Sequence, residues 1–413
     1  MTALNDTGAL LRRALVTMVL FAAAMSLARA APAEGNGFAA GVAAQYTYDN
    51  NLFRLPNFAD ATLLRPGSSR QDHITTYSVI GDGEWTLGRQ LLSLDLRFGN
   101  NRFVRNTDLN NNSASARAVW DWTVTPFLLG DVGAEFTRAL ASFANERQFG
   151  RDLVQSTHYF GNFGVRFANH LKFVGGVRYT RLTHSLDAVN EQNFRTKSGN
   201  AGIQFYTSEA DYVGVDYRYS NSRFAAPTIV GDVFFDPDSN DSTSSIVLRH
   251  ALGGKTSLDA AFGYLKRHYL REDRGSFSGQ VWHATVAWQA TAITRVDLSA
   301  SRGLTAALEV QSDYFVSKSF SISPVWTPTP RISLALSANW SAQDYLGASP
   351  SAIEFASRKD RVASQQANLQ YQPRDPLTFV LSFKHEYRDS NVPIISYNDK
   401  LIAASVQFVV NGR

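Results

Sequence analysis

Residues 91–104 read LLSLDLRFGNNRFV and alternate. Leu92, Leu94, Leu96 and Phe98 share one face, and Ser93, Asp95, Arg97 and Gly99 share the other. A period of two is the side-chain geometry of a β-strand. The first face suits a core or hydrocarbon. The second places an acid and a base in mid-strand, which only water or a paired partner tolerates. A strand of this kind fits the wall of a transmembrane barrel, apolar outside and polar inside.

The same unit recurs along the chain. Ala114, Ala116, Ala118, Trp120 and Trp122 oppose Ser115, Arg117 and Asp121. Val213, Val215, Tyr217 and Tyr219 oppose Asp216 and Arg218, and Leu377, Phe379, Leu381 and Phe383 oppose Thr378, Ser382 and Lys384. Ile402, Ala404, Val406, Phe408 and Val410 form the last such face. Tight-turn signals near 88–89, 125–126, 169–170, 209–210, 253–254, 291–292, 328–330 and 373–376 alternate with longer polar stretches. Those stretches are 54–70, 105–112, 139–152, 184–193, 222–241, 270–277, 302–311, 346–359 and 389–396. Short periplasmic turns alternating with long external loops are the outer-membrane pattern. The fold class expected is all-β: a transmembrane antiparallel β-barrel of about 18 strands, within 16–18. A propeller or solenoid would need recurring blade-length motifs, and none is present.

The ends and composition agree with export. Arg12 and Arg13, the apolar run 14–27 and Ala28-Arg29-Ala30 form a signal-peptide pattern over residues 1–30, cleaved near Ala30. Residues 31–37 then make a short periplasmic lead and 38–413 a single barrel domain, placed in the outer membrane of a Gram-negative bacterium. No segment after residue 30 has the length of unbroken apolar sequence that a transmembrane helix needs. Without residues 1–30 the chain carries 37 basic and 35 acidic residues. A near-neutral balance gives no reason to expect a nucleic-acid partner. The absence of cysteine excludes disulfides, Cys-based zinc sites and covalent haem attachment.

Tryptophan placement adds a weaker signal. Trp85, Trp120, Trp122, Trp288 and Trp326 fall near the periplasmic rim, and Trp282 and Trp340 toward the outer one.

No catalytic constellation stands out. Gly253-Gly254-Lys255-Thr256 ends like a phosphate-binding loop, but Arg249 stands where the leading glycine belongs, so it reads as a tight turn. The eight histidines are scattered, and no spacing argues for a triad or a metal site. Asp232, Asp236, Asp238 and Asp241 are hard-oxygen ligands without a full calcium loop and read as solvated. No cofactor and no metal is expected. The functional candidates are mid-strand charges that should face the lumen. They are Asp95, Arg97, Arg117, Asp121, Asp131, Glu135, Arg166, Arg178, Asp216, Arg218, Arg249, Asp259, Arg267, Lys384 and Glu386. They would either line a charged pore or neutralise one another as an internal ion-pair network.

Tyr48-Asp49-Asn50-Asn51-Leu52-Phe53-Arg54 resembles the Y-D-D-N-L-F-R signature of EpsL-like outer-membrane barrels from exopolysaccharide operons. Tyr387-Arg388-Asp389-Ser390-Asn391, with Tyr397, resembles their last hairpin. Asn50 stands where an acid is common, and the chain ends Asn411-Gly412-Arg413 without a terminal aromatic. The resemblance implies biosynthesis or export of exopolysaccharide, with the glycan passing through a polar lumen. The partners implied are outer-membrane lipid, the polysaccharide chain and other export components. The alternatives are a general diffusion porin for small polar solutes and a barrel enzyme acting on lipid or glycan.

Overall fold

The computed structural model describes residues 36–64, 67–144, 149–230, 233–270, 276–306, 314–346 and 358–412. Residues 1–30, where a signal peptide is expected from the sequence, and Asp232 lie outside them.

Eighteen antiparallel strands close into one barrel. In chain order they are β1 (Gly37–Asp49), β2 (Asp72–Leu87), β3 (Gln90–Phe103), β4 (Asn111–Thr125), β5 (Leu128–Leu140) and β6 (Leu153–Ala168). Then come β7 (Leu171–Thr183), β8 (Phe194–Ser208), β9 (Asp211–Phe224), β10 (Ser239–Leu252), β11 (Thr256–Tyr269) and β12 (Phe277–Thr291). The last six are β13 (Thr294–Ala306), β14 (Tyr314–Thr329), β15 (Ile332–Leu346), β16 (Lys359–Arg374), β17 (Leu377–Ser390) and β18 (Tyr397–Gly412). Each strand pairs with its chain neighbours, and β1 pairs with β18 from Phe38↔Gly412 to Asp49↔Leu401. A closed ladder satisfies the backbone groups within the sheet, which is the condition for β-structure in hydrocarbon.

The alternation read from the sequence is the one observed. On β3 Leu92, Leu96 and Phe98 are exposed, and on β9 so are Val213, Val215, Tyr217 and Tyr219. These are the outward faces, and their polar neighbours point inward. Short turns close one end of the barrel. Gly253 and Gly254 take positive φ of 61° and 73°, so the stretch resembling a phosphate loop is a turn needing residues without a Cβ. Long connections gather at the other end, and one carries a small hairpin, Thr228–Val230 with Val233–Phe235.

Trp85, Trp122, Trp288 and Trp326 lie within three residues of a short turn and Trp120 lies five residues from one, while Trp282 and Trp340 lie five and six residues from the strand ends that face the long connections.

Two long connections turn inward. Leu52, Phe53, Leu55 and Ala61, between β1 and β2, pack with Phe103, Leu109 and Phe143 into a buried cluster. Phe53 meets Phe143 and Phe149 edge-on at 4.9 and 5.8 Å between ring centres. Seven apolar side chains in contact remove surface from water at about 25 cal/mol per Å2, which holds these connections together where no ladder does.

Candidate functional site

The site is the outer mouth of the lumen, where the described residues of the β1–β2 connection (50–64 and 67–71) meet those of the β5–β6 connection (141–144 and 149–152). The first is anchored by the stretch that follows Tyr48. Asn51 is almost fully buried and ties its own turn. Its Nδ2 donates to the carbonyls of Leu55 and Asn398, each at 2.9 Å, and its Oδ1 accepts from the Leu55 amide. Asp49 Oδ1 accepts from the Asn51 amide at 2.9 Å. Arg54 sits at φ 54° and spans two carboxylates: Nη1 is 3.1 Å from Asp49 Oδ2, and Nη2 is 2.9 Å from Asp399 Oδ2. The Asp399 contact is close but without hydrogen-bond geometry at either of its oxygens. Burial alone would favour a neutral guanidine, but Asp49 and Asp399 outweigh it and hold the Arg54 pKa above its usual range. Tyr48, on the outward face, donates to Gln71 Oε1 at 2.8 Å. Leu52 and Phe53 enter the apolar cluster.

The second connection reaches across. Arg388 on β17, nearly buried, donates through Nη1 to the Ala144 carbonyl at 2.7 Å. The strands β1–β4 and β18 separate β17 from β5 around the wall, so this contact runs through the interior. Arg388 also stacks over the Tyr397 ring at 5.4 Å and lies 3.7 Å from Asp360, itself held by Arg358 at 2.5 Å. Tyr397 donates to Glu386 at 2.7 Å, and Glu386 faces Lys384 at 2.8 Å. The mouth is therefore braced by one continuous charged network on β16, β17, β18 and β1.

The remaining sequence candidates mostly form local pairs on the inner wall. Arg117 lies between Asp95, at 3.7 Å, and Glu135, at 3.1 Å. Asp121 and Asp131 stand opposite each other in register, and Asn162 donates to Asp131 at 3.0 Å. Arg249 pairs with Asp259 at 2.8 Å, and His283 approaches the same carboxylate at 3.5 Å. Arg267 grips Asp241 with two hydrogen bonds of 2.8 and 2.7 Å, so that carboxylate belongs to an ion pair rather than to a cation loop. Asp216 accepts from Asn200 at 2.9 Å, and Arg218 is its neighbour along β9. Arg178 stands opposite Phe160 and Ser198, and Arg97 opposite Ile80 and Ser115. Arg166 does not sit in mid-lumen. Near the end of β6, it bonds Glu209 in the β8–β9 turn and the Pro126 carbonyl. Lys172 joins the same Glu209 at 3.4 Å. Burial opposes charge on Glu209, but Lys172 and Arg166 outweigh it and depress its pKa.

Sequence reasoning missed a neutral part of the wall. Ser299–Ser321, Ser301–Ser319 and Ser317–Ser341 are hydroxyl pairs at 2.6, 2.7 and 3.1 Å across β13, β14 and β15. It also missed His158, whose ring nitrogens lie 2.9 Å from Ser156 and 2.9 Å from Thr180. Inward parity on adjacent strands was the available signal; the register that brings the partners together was not.

A family described as "Putative beta-barrel porin 2" matches residues 238–409. No curated protein matches the chain in sequence. Among solved structures, Pseudomonas aeruginosa OccK2 (OpdF) in complex with glucuronate is similar at 11% identity and TM-score 0.46, over 90% of this chain and 98% of that one. A BenF-like porin from Pseudomonas fluorescens Pf-5 is similar at 10% identity and TM-score 0.47, over 90% and 99%. Pseudomonas aeruginosa OpdK with vanillate is similar at 10% identity and TM-score 0.45, over 91% and 99%. The family match overturns the exopolysaccharide-export reading, because the matched description is that of a porin. There is also a local reason why the motif misled. Asp49, Asn51, Leu52, Phe53 and Arg54 are engaged in fastening a connection at the mouth, a structural task that names no cargo. Residues 238–409 are similar to a porin family, and the chain as a whole is a closed eighteen-stranded antiparallel β-barrel of the outer-membrane type.

Proposed function

We propose that the chain is a diffusion porin for small polar solutes, a channel rather than an enzyme. One observation carries this reading: the Arg388–Ala144 bond, which draws the β5–β6 connection across the mouth. A barrel of eighteen strands encloses an aqueous lumen, and an inward connection narrows it to a size filter. The inner wall pairs its opposite charges at Arg117, Arg249 and Arg267 and carries a neutral hydroxyl track beside them. Such a lining exchanges hydrogen bonds with a hydrated solute and imposes little net field.

The test is single-channel conductance in planar bilayers with a graded series of neutral polymers added to the bath. Small polymers should enter and lower the conductance, large ones should not, and ion selectivity should be weak. Replacing 141–152 by a short turn should raise both conductance and cut-off. Absence of any conductance from correctly folded protein, or a cut-off unmoved by that replacement, would refute the reading.

A further inference from the structure

The outward face of β7, β8 and β9 carries a row of arginines at the end bearing the long connections. Arg181 stands directly opposite Arg195, and Arg195 directly opposite Arg223. Lys197 lies one alternation below Arg195 on the same face. Like charges in direct cross-strand register are destabilising when left to themselves. Arg181, Arg195 and Lys197 are exposed, and the Asp238 carboxylate exerts its field on Arg195 as well as on Arg223. Arg223 has Asp238 3.5 Å from its Nε and donates through Nη1 to the Ser222 carbonyl at 2.9 Å. One carboxylate does not balance four cations.

A groove lies in the lipid-facing surface directly below the row. Gly161, Gly199 and Ala201 leave a dent of about 390 Å3, walled by Phe163, Val177 and Tyr217. Gly199 is two alternations below Arg195 on β8, about 13 Å along the strand. An added Cβ at Gly199 would meet nothing nearer than 3.7 Å, so its smallness is not required by packing. Cationic groups at the membrane surface above an apolar furrow at acyl depth match the two halves of one amphiphile.

We propose that this face binds a phosphorylated lipid of the outer leaflet, its phosphate held by Arg181, Arg195 and Arg223 and an acyl chain lying in the groove. Guanidinium groups grip phosphate oxygens with paired hydrogen bonds, and a dianion between opposed arginines converts their repulsion into attraction. Lys197 adds a point charge beneath the headgroup.

The full-length barrel, purified in detergent, is titrated with bisphosphorylated lipid A, with the same lipid stripped of its phosphates, and with inorganic phosphate alone. Native mass spectrometry reads occupancy. The wild type should retain the phosphorylated lipid at least about tenfold more tightly than the stripped one, the worth of one charge-assisted hydrogen bond. The triple variant R181Q/R195Q/R223Q should lose that difference, and G199L should weaken both lipids. Equal retention of the two lipids by the wild type overturns the proposal, as does unchanged retention by a folded triple variant. Inorganic phosphate binding as tightly as the lipid removes the lipid from it. If the triple variant does not fold, R195Q alone and the wild-type lipid comparison still decide.

Discussion

Arg54 is the most instructive residue to change, because two opposing energies meet in it. Its guanidinium is the cation between Asp49 and Asp399, whose side chains are 4% and 0% exposed. Removing one member of a buried ion pair leaves the other charge uncompensated and costs about 3–5 kcal/mol. Its backbone sits at φ 54°, which costs any residue with a Cβ about 1 kcal/mol and glycine nothing. Arg54→Ala should therefore lose the full electrostatic amount. Arg54→Gly should lose about 1 kcal/mol less. At 1.4 kcal/mol per tenfold, the alanine variant raises the population with a detached β1–β2 connection by roughly a hundredfold to a few thousandfold. Two assays read this: the temperature at which the folded gel band converts to the unfolded one, and the frequency of current fluctuations in single channels. The order expected is wild type, then glycine, then alanine. An alanine variant with wild-type transition temperature and current noise would refute the claim that Arg54 fastens the mouth.

Arg388→Ala removes the donor to Ala144 and should raise single-channel conductance while leaving the barrel folded, checked in bilayers and by heat-shifted gel mobility. Glu209 gives a pH dependence at the opposite rim. Its pKa is depressed in the folded state, so its stabilisation is present above its unfolded value and lost as the pH falls through the folded one. Taking the protein from pH 5 to 3 should lower the wild-type transition temperature more than that of Glu209→Gln; identical shifts would count against the Glu209–Lys172–Arg166 cluster. Gly253→Val forces a β-branched residue into φ 61° and should reduce the refolding yield, measured by the fraction of heat-modifiable protein after dilution from urea.

Strand identity, strand number and turn positions were legible in the sequence because the inner and outer faces of a barrel alternate residue by residue. Leu92, Leu96 and Phe98 against Asp95 and Arg97 is a pattern that needs no tertiary information. The narrowed mouth was not legible. Leu52, Phe53, Leu55 and Phe143 sit in aperiodic stretches, where an apolar residue gives no direction, and their partners come from elsewhere in the chain. The one available hint was a cluster of large apolar side chains in connections otherwise polar. Inward charges were identifiable by parity, but not their pairing, since Arg267 finds Asp241 only through the β10–β11 register. Arg166 was misplaced because its strand runs on to Ala168, beside the turn that carries Glu209.

The pairing of β1 with β18 constrains how such a molecule comes into being. Phe38 has no partner on that side until Gly412 exists, so the first strand of the barrel waits for residues of the eighteenth. Until then both margins of the sheet display bare amide and carbonyl groups, which oil cannot solvate and which invite pairing with a neighbouring copy. Entry into the bilayer and sealing of the seam are therefore coupled, and a chain released before Leu401–Gly412 emerges is a template for aggregation rather than a smaller pore.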